Sequence, residues 1–124
     1  MLQLRSILTV TDNTGAKKGM YIGRTGTGNK RNATVGDVIN ITVKEAIPYA
    51  QVKKSEKVQA VVVRTRKEKR RRDGSYIRFD DNACVILADK GSKEPKGTRI
   101  FGPIAKEVKD AGFSKIASLA EEIY

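Results

Sequence analysis

The 124-residue sequence has no histidine, no tryptophan and a single cysteine, and its rings are limited to four tyrosines and three phenylalanines. Without histidine the usual general base and the commonest metal ligand are both missing. One thiol excludes an intrachain disulfide and any multi-cysteine zinc site. Cys84 lies between Ala83 and Val85 in an apolar run. A reactive thiol wants an electropositive, partly exposed setting, so Cys84 reads as part of a core. No apolar stretch approaches the roughly 18 residues that cross a membrane. The opening Met1-Leu-Gln-Leu-Arg-Ser6 lacks the charged n-region and small-residue cleavage site of a signal peptide. A reducing compartment is expected, most simply the cytoplasm.

Acidic residues are also scarce. Against 14 Asp and Glu stand 25 Lys and Arg, a formal charge of +11, with a pI near 10.0. Such an excess selects polyanionic partners, nucleic acid first and an anionic membrane second. It says nothing about the fold.

The chain shows no repeat, no low-complexity tract and no linker, so one domain, 1–124, is expected. Its first two-thirds read as strands. Ile7, Thr9 and Thr11 alternate with Leu8 and Val10, up to the turn-like Asp12-Asn-Thr-Gly15. Tyr21-Ile22 is a short apolar piece. Between Val35 and Ala46, Ile39, Ile41 and Val43 share one face, while Asn40, Thr42 and Lys44 share the other. Val58 to Val63 and Ala83 to Leu87 are continuous apolar runs, suited to strands buried on both faces; Tyr76 to Phe79 alternates between them. In the last quarter, Ile104, Ala105, Val108 and Ala111 form a helical stripe. Pro103 suits the first helical position and Gly112 the residue after the last; Ile116, Leu119 and Ala120 suggest another turn or two. The expected fold is all-β: a small five-stranded closed barrel over about 1–101, a basic ribbon projecting at about 64–80, and a helical extension over about 102–124.

The charge is concentrated. Arg64 to Arg72 holds seven cations and one anion in nine residues. From Asn13 to Gly36 come Lys17, Lys18, Arg24, Lys30 and Arg31, with no acid. The segment from Ile104 onward carries a net −1. Asp73-Gly74 after the arginine run signals a two-residue hairpin turn, which pairs Arg71 with Tyr76 and Lys69 with Arg78. Successive side chains alternate faces, so both faces of this strand are charged and neither can be buried. The hairpin therefore leaves the barrel as a ribbon suited to insertion among phosphates. A merely solvated hairpin, whose cations keep its edge from aggregating, is the plain alternative. Arginine enrichment argues against it, because the guanidinium fork fits phosphate and a solubilising face does not need that geometry. Lys17, Lys18, Arg24, Lys30, Arg31, Arg64, Arg66, Lys67, Lys69, Arg70, Arg71 and Arg72 are the candidate RNA contacts.

Other motifs fall away. Gly23 to Gly28 has P-loop spacing, but Asn29 stands where lysine is needed and no helix follows. The segment reads as a flexible basic loop that can approach an RNA backbone, or as a plain turn. Asp80-Asp81 are neighbours, which points them apart on a strand. No row of exposed rings supports a single-strand binder, so structured RNA or duplex held by its backbone is the better partner. On the tail helix, Glu107 and Asp110 cancel Lys106 and Lys109, against a membrane-surface role. No cofactor, metal or small-molecule substrate is expected.

Several segments then match a known family in order and spacing: Lys44-Glu-Ala-Ile-Pro48, Val61-Val-Val-Arg-Thr65, Asp73-Gly-Ser75, Arg78-Phe-Asp80, Asn82-Ala83, Gly97-Thr-Arg-Ile-Phe-Gly-Pro103 and Lys115-Ile-Ala-Ser-Leu-Ala120. The whole chain resembles the family of the fourteenth protein of the large ribosomal subunit, in its bacterial or organellar form. The resemblance implies a structural, non-enzymatic constituent of that subunit, in cytoplasmic or organellar ribosomes. It implies direct binding to large-subunit rRNA, contact with small-subunit rRNA across the interface (an intersubunit bridge), packing against neighbouring ribosomal proteins, and docking of a ribosome silencing factor. Carried over by motif, the docking surface includes Thr98, Arg99 and Lys115. The part facing the small subunit includes Lys44, Tyr49, Gln51, Lys53 and Lys54. Arg72 stands where the family commonly has a proline before the Asp-Gly turn. The rivals are a free-standing nucleic-acid-binding barrel and a small enzyme; the missing histidine and acid–base pair argue against the enzyme.

Overall fold

The computed structural model describes residues 2–24, 32–89 and 91–124, with Arg24 described through its backbone. Five strands close a barrel in the order β1 (Ile7–Val10), β2 (Ala16–Arg24), β3 (Val38–Ala46), β4 (Lys57–Arg64) and β7 (Ala83–Ile86). Neighbours are antiparallel except at the closure, where β1 runs parallel to β7 with Thr9 opposite Ala83 and Val10 opposite Cys84. Between β4 and β7 lie β5 (Lys69–Arg70) and β6 (Tyr76–Ile77), a separate two-stranded sheet. After the barrel come β8 (Pro103–Ile104), α1 (Lys106–Asp110), α2 (Ser114–Leu119) and β9 (Glu122–Ile123).

Two cores explain the two kinds of apolar pattern. Inside the barrel Leu8, Val10, Ile39, Ile41, Val43, Ala60, Val62, Cys84 and Ile86 pack together, with Leu2 and Tyr21 joining them. β3 buries only this face, hence its strict alternation. β4 and β7 bury both. Their outward residues Val61, Val63, Ala83 and Val85 meet Ile100, Ile104, Val108, Phe113 and Ile116 in a second cluster. The tail therefore covers the outer face of β4 and β7, and each large side chain buried there stabilises the docking by about 1.5–3 kcal/mol.

Two local expectations are corrected. The ribbon turn has three residues, not two: Arg71 N–H donates to the Ser75 carbonyl at 2.8 Å and Gly74 N–H to the Arg71 carbonyl at 3.0 Å. Arg70 consequently faces Tyr76 and Lys69 faces Ile77, one step from the two-residue register. A two-residue type I′ turn needs positive φ at both central residues. Only Gly74 has it, at +89°, while Asp73 stays on the ordinary side. Asp73 instead turns its carboxylate onto the Ser75 N–H at 2.9 Å and Oγ at 2.6 Å.

Pro103 does not open a helix. It lies in β8, opposite Glu122 in parallel pairing, and α1 begins three residues later with Ala105 as its N-cap. Ala111, expected in the buried stripe, is exposed. Gly112, at φ +98°, does follow the helix end. The expected helical extension is thus a pair of short helices enclosed by a small parallel sheet.

Candidate nucleic-acid interface

The ribbon starts where β4 leaves the barrel, and its foot is fixed by charge turned inward. Arg64 is 7% exposed. Its Nε lies 3.0 Å from Asp81 Oδ1 and its Nη2 donates to Asp81 Oδ2 at 3.2 Å. Nη1 reaches the carbonyls of Phe101 and Pro103, both at 3.3 Å. One guanidinium thereby joins the end of β4, the chain entering β7 and the start of the tail. Next to it, Asn82 Oδ1 accepts the Arg66 N–H at 2.9 Å, and the Thr65 carbonyl accepts the Phe79 N–H at 2.9 Å.

Toward the tip the cations turn outward. Arg66, Lys67, Arg70 and Arg72 are exposed and Lys69 is half-buried. Lys67 makes an exposed ion pair with Glu68 at 3.3 Å, which adds little in water. Arg71 is the exception. Its Nε lies 3.0 Å from Glu107 Oε1 with both side chains mostly covered, an ion pair without a linear hydrogen bond. Its Nη2 donates to the Tyr124 carbonyl. The ribbon is therefore a sheet of its own that leans on the tail.

On the barrel, Lys17 and Lys18 are exposed, and Lys18 reaches Glu45 at 3.8 Å. Arg24 ends β2. Lys30, Arg31 and the Gly26–Asn29 segment lie outside the described residues. Lys44, Tyr49, Gln51, Lys53 and Lys54 are all exposed, at the end of β3 and along its connection to β4.

The Asp12–Gly15 turn organises a further surface. Asn13 Oδ1 accepts the N–H groups of Thr98, at 2.8 Å, and Arg99, at 3.2 Å, while its Nδ2 donates to Thr98 Oγ1 at 2.8 Å. Thr98 and Arg99 are held exposed, immediately before the buried Ile100. Lys115 is exposed immediately before the buried Ile116. Ile100 and Ile116 share the second core, so one packing unit presents all three.

Two buried groups complete the electrostatics. Asp12 accepts hydrogen bonds from Thr14 Oγ1 (2.6 Å) and Ile86 N–H (3.0 Å). Burial nevertheless raises its pKa above the ordinary aspartate value, outweighing the lowering by those bonds. Cys84 is buried, and desolvation, reinforced by Asp12, pushes its thiol far up, as suits a core group and not a nucleophile. Among the described residues no group of three or more His, Cys, Asp or Glu side chains is placed to hold a metal ion. No described helix is long and apolar enough to cross a membrane.

Residues 1–124, the whole chain, match the family model of ribosomal protein L14p/L23e. The chain belongs to that family. It is accordingly a structural protein of the large ribosomal subunit that binds rRNA, and the free-standing barrel falls away as a rival. The closed five-stranded barrel is the expected all-β fold. Placed in it, the candidate RNA contacts divide. Arg66, Lys67, Arg70 and Arg72 share the exposed ribbon, whereas the Arg64 and Arg71 guanidinium groups are committed to partners within the chain. Sequence reasoning missed the roles of Asp12, Asn13 and the Arg64–Asp81 pair. A signal for Arg64 existed: it is the last residue of a continuous buried strand, and unpaired charge does not end such a strand without a counterion.

Proposed function

We propose that the ribbon and the basic segment that includes β2 hold rRNA phosphates. The contacts are Arg66, Lys67, Lys69, Arg70 and Arg72 on the ribbon, joined by Lys17, Lys18, Arg24, Lys30 and Arg31. Arg64 and Arg71 serve in the same act as the ribbon's internal supports. The observation that carries this reading is the division along one arginine run: exposed cations at the tip of an element whose foot is locked by a buried arginine paired with Asp81. Cations aimed by a rigid base form phosphate contacts with little loss of freedom.

The remaining surfaces take the other partners that the family resemblance supports. Lys44, Tyr49, Gln51, Lys53 and Lys54 face small-subunit rRNA in an intersubunit bridge. Thr98, Arg99 and Lys115 form the surface where a silencing factor docks, beside neighbouring ribosomal proteins. The chain works as one domain on the ribosome of a bacterial-type cytoplasm or organelle.

Charge reversal of Arg66, Arg70 and Arg72 to Glu tests the central assignment. The folded variant is expected to bind large-subunit rRNA weakly and to be depleted from large subunits in a sedimentation gradient. Wild-type incorporation of the triple variant would remove the ribbon from the RNA interface.

A further inference from the structure

We infer that Tyr49 is a nucleoside-stacking residue: its ring lies flat against a base or ribose of an RNA at the β3–β4 connection. The inference rests on the proposed small-subunit-facing role of this connection and adds to it a specific contact.

Tyr49 is the most exposed large apolar side chain among the described residues, at 104% of the reference value. Its backbone has φ +64°, in the left-handed region that side-chain-bearing residues rarely occupy. A loose surface loop would relax out of that conformation. This one is held on both sides of Tyr49 along the chain. Ile47 N–H donates to the Gly15 carbonyl at 2.9 Å and Gln51 N–H to the Thr14 carbonyl at 3.1 Å. Val52 is fully buried as an anchor. Ala50 packs so closely that a Cβ on Gly15 would stand 2.3 Å from the Ala50 Cβ. Further along, Ser55 N–H returns to the Val43 carbonyl at 2.7 Å. The fold thus fixes the backbone that carries an exposed aromatic ring, in a conformation that a glycine would adopt without strain.

The surroundings select the class of partner. Lys44, Lys53, Lys54 and Lys57 are exposed here, against Glu45 and Glu56. Both acids are engaged within the chain: Glu45 reaches Lys18 at 3.8 Å, and Glu56 accepts the Lys53 N–H at 3.0 Å. A presented ring on a connection whose four lysines outnumber its two acids fits a nucleoside flanked by phosphates: the base or ribose takes the ring, and the phosphates take the lysines.

The test uses large subunits carrying Tyr49→Ala, Tyr49→Gly, Tyr49→Phe or the pair Lys53→Glu and Lys54→Glu. Each is titrated with small subunits by light scattering, with chemical probing of both rRNAs. Tyr49→Ala and Tyr49→Gly are expected to weaken association about tenfold and to expose one small-subunit nucleoside to the probe, with Tyr49→Phe close to wild type. Thermal unfolding of the isolated Tyr49→Gly protein at or above the wild-type temperature shows that the loss is not one of folding. Wild-type association and probing by the Ala and Gly variants, with the lysine pair still weakened, would overturn stacking and leave the facing role intact. If the newly exposed nucleoside belongs to the large subunit and association is unchanged, stacking stands and the small-subunit role fails. If all four variants behave as wild type, both are overturned.

Discussion

At the foot of the ribbon Arg64 turns inward and is held by Asp81 and two carbonyls. Eight residues later, at the tip, Arg72 turns outward and is exposed. The residue type is the same, and so is the run. What separates them is the strand that precedes each. β4 is apolar on both faces, so its last residue emerges beneath the tail, where a guanidinium must find partners. β5 is two residues long and touches the tail through its neighbour Arg71, so Arg70 and Arg72 meet water or a ligand. A count of arginines therefore overstates an RNA footprint wherever the run begins inside a packed element.

The contrast is broken most severely at the foot. Arg64→Ala strands Asp81, which keeps partial access to water, and leaves the Phe101 and Pro103 carbonyls short of a donor. A loss of about 2–3 kcal/mol in urea denaturation is expected. The tip gives the opposite result. Arg70→Gln with Arg72→Gln leaves stability within about 0.5 kcal/mol, but lowers the slope of log affinity against log salt by roughly 0.7–0.9 per arginine. Equal stability losses for foot and tip would erase the distinction.

The smallest effect lies in two carboxyl groups that repeat the contrast. Burial raises Asp12, whereas hydrogen bonds from Ser75 lower the exposed Asp73. Asp12 therefore favours the folded state most below the ordinary aspartate value near 3.9, and that contribution fades as pH rises through its folded value. Asp73 contributes above that ordinary value and loses its contribution as pH falls through its own, lower one. Carbon-detected titration of the folded protein should find Asp12 protonating at the higher pH. The reverse order would contradict both environments.

Which parts of this were legible in the sequence follows from how local each pattern is. The Ile39, Ile41, Val43 alternation and the two apolar runs carry their burial in the residues themselves. β2 does not. One of its buried positions is Gly19, where a Cβ would stand 2.7 Å from Ile41 Cδ1, so the larger partner occupies the space that a readable apolar residue would need. Register shifts along β2 blur the period further. The β8–β9 pairing was invisible for another reason: two-residue strands have no period, and Pro103 before an apolar stripe carries a genuine helix-start signal. Of the site, the clustered cations were plain from composition. Their division into supports and contacts depends on Asp81, Glu107 and the tail carbonyls, which are distant in sequence.

The β8–β9 pair has a consequence for how the tail forms. α1 has five residues and α2 six, far below the roughly 12–15 at which an isolated helix begins to hold in water. Neither can wait, preformed, for the other. They are held as helices by packing Val108, Phe113 and Ile116 against β4 and β7, with Ile104 and Ile123 paired across the ends of the segment. The tail is thus one cooperative unit that melts or forms whole, and its amides should exchange with deuterium together. A partner gripping Lys115 would stabilise Ile104 and Val108 as surely as the residues it touches.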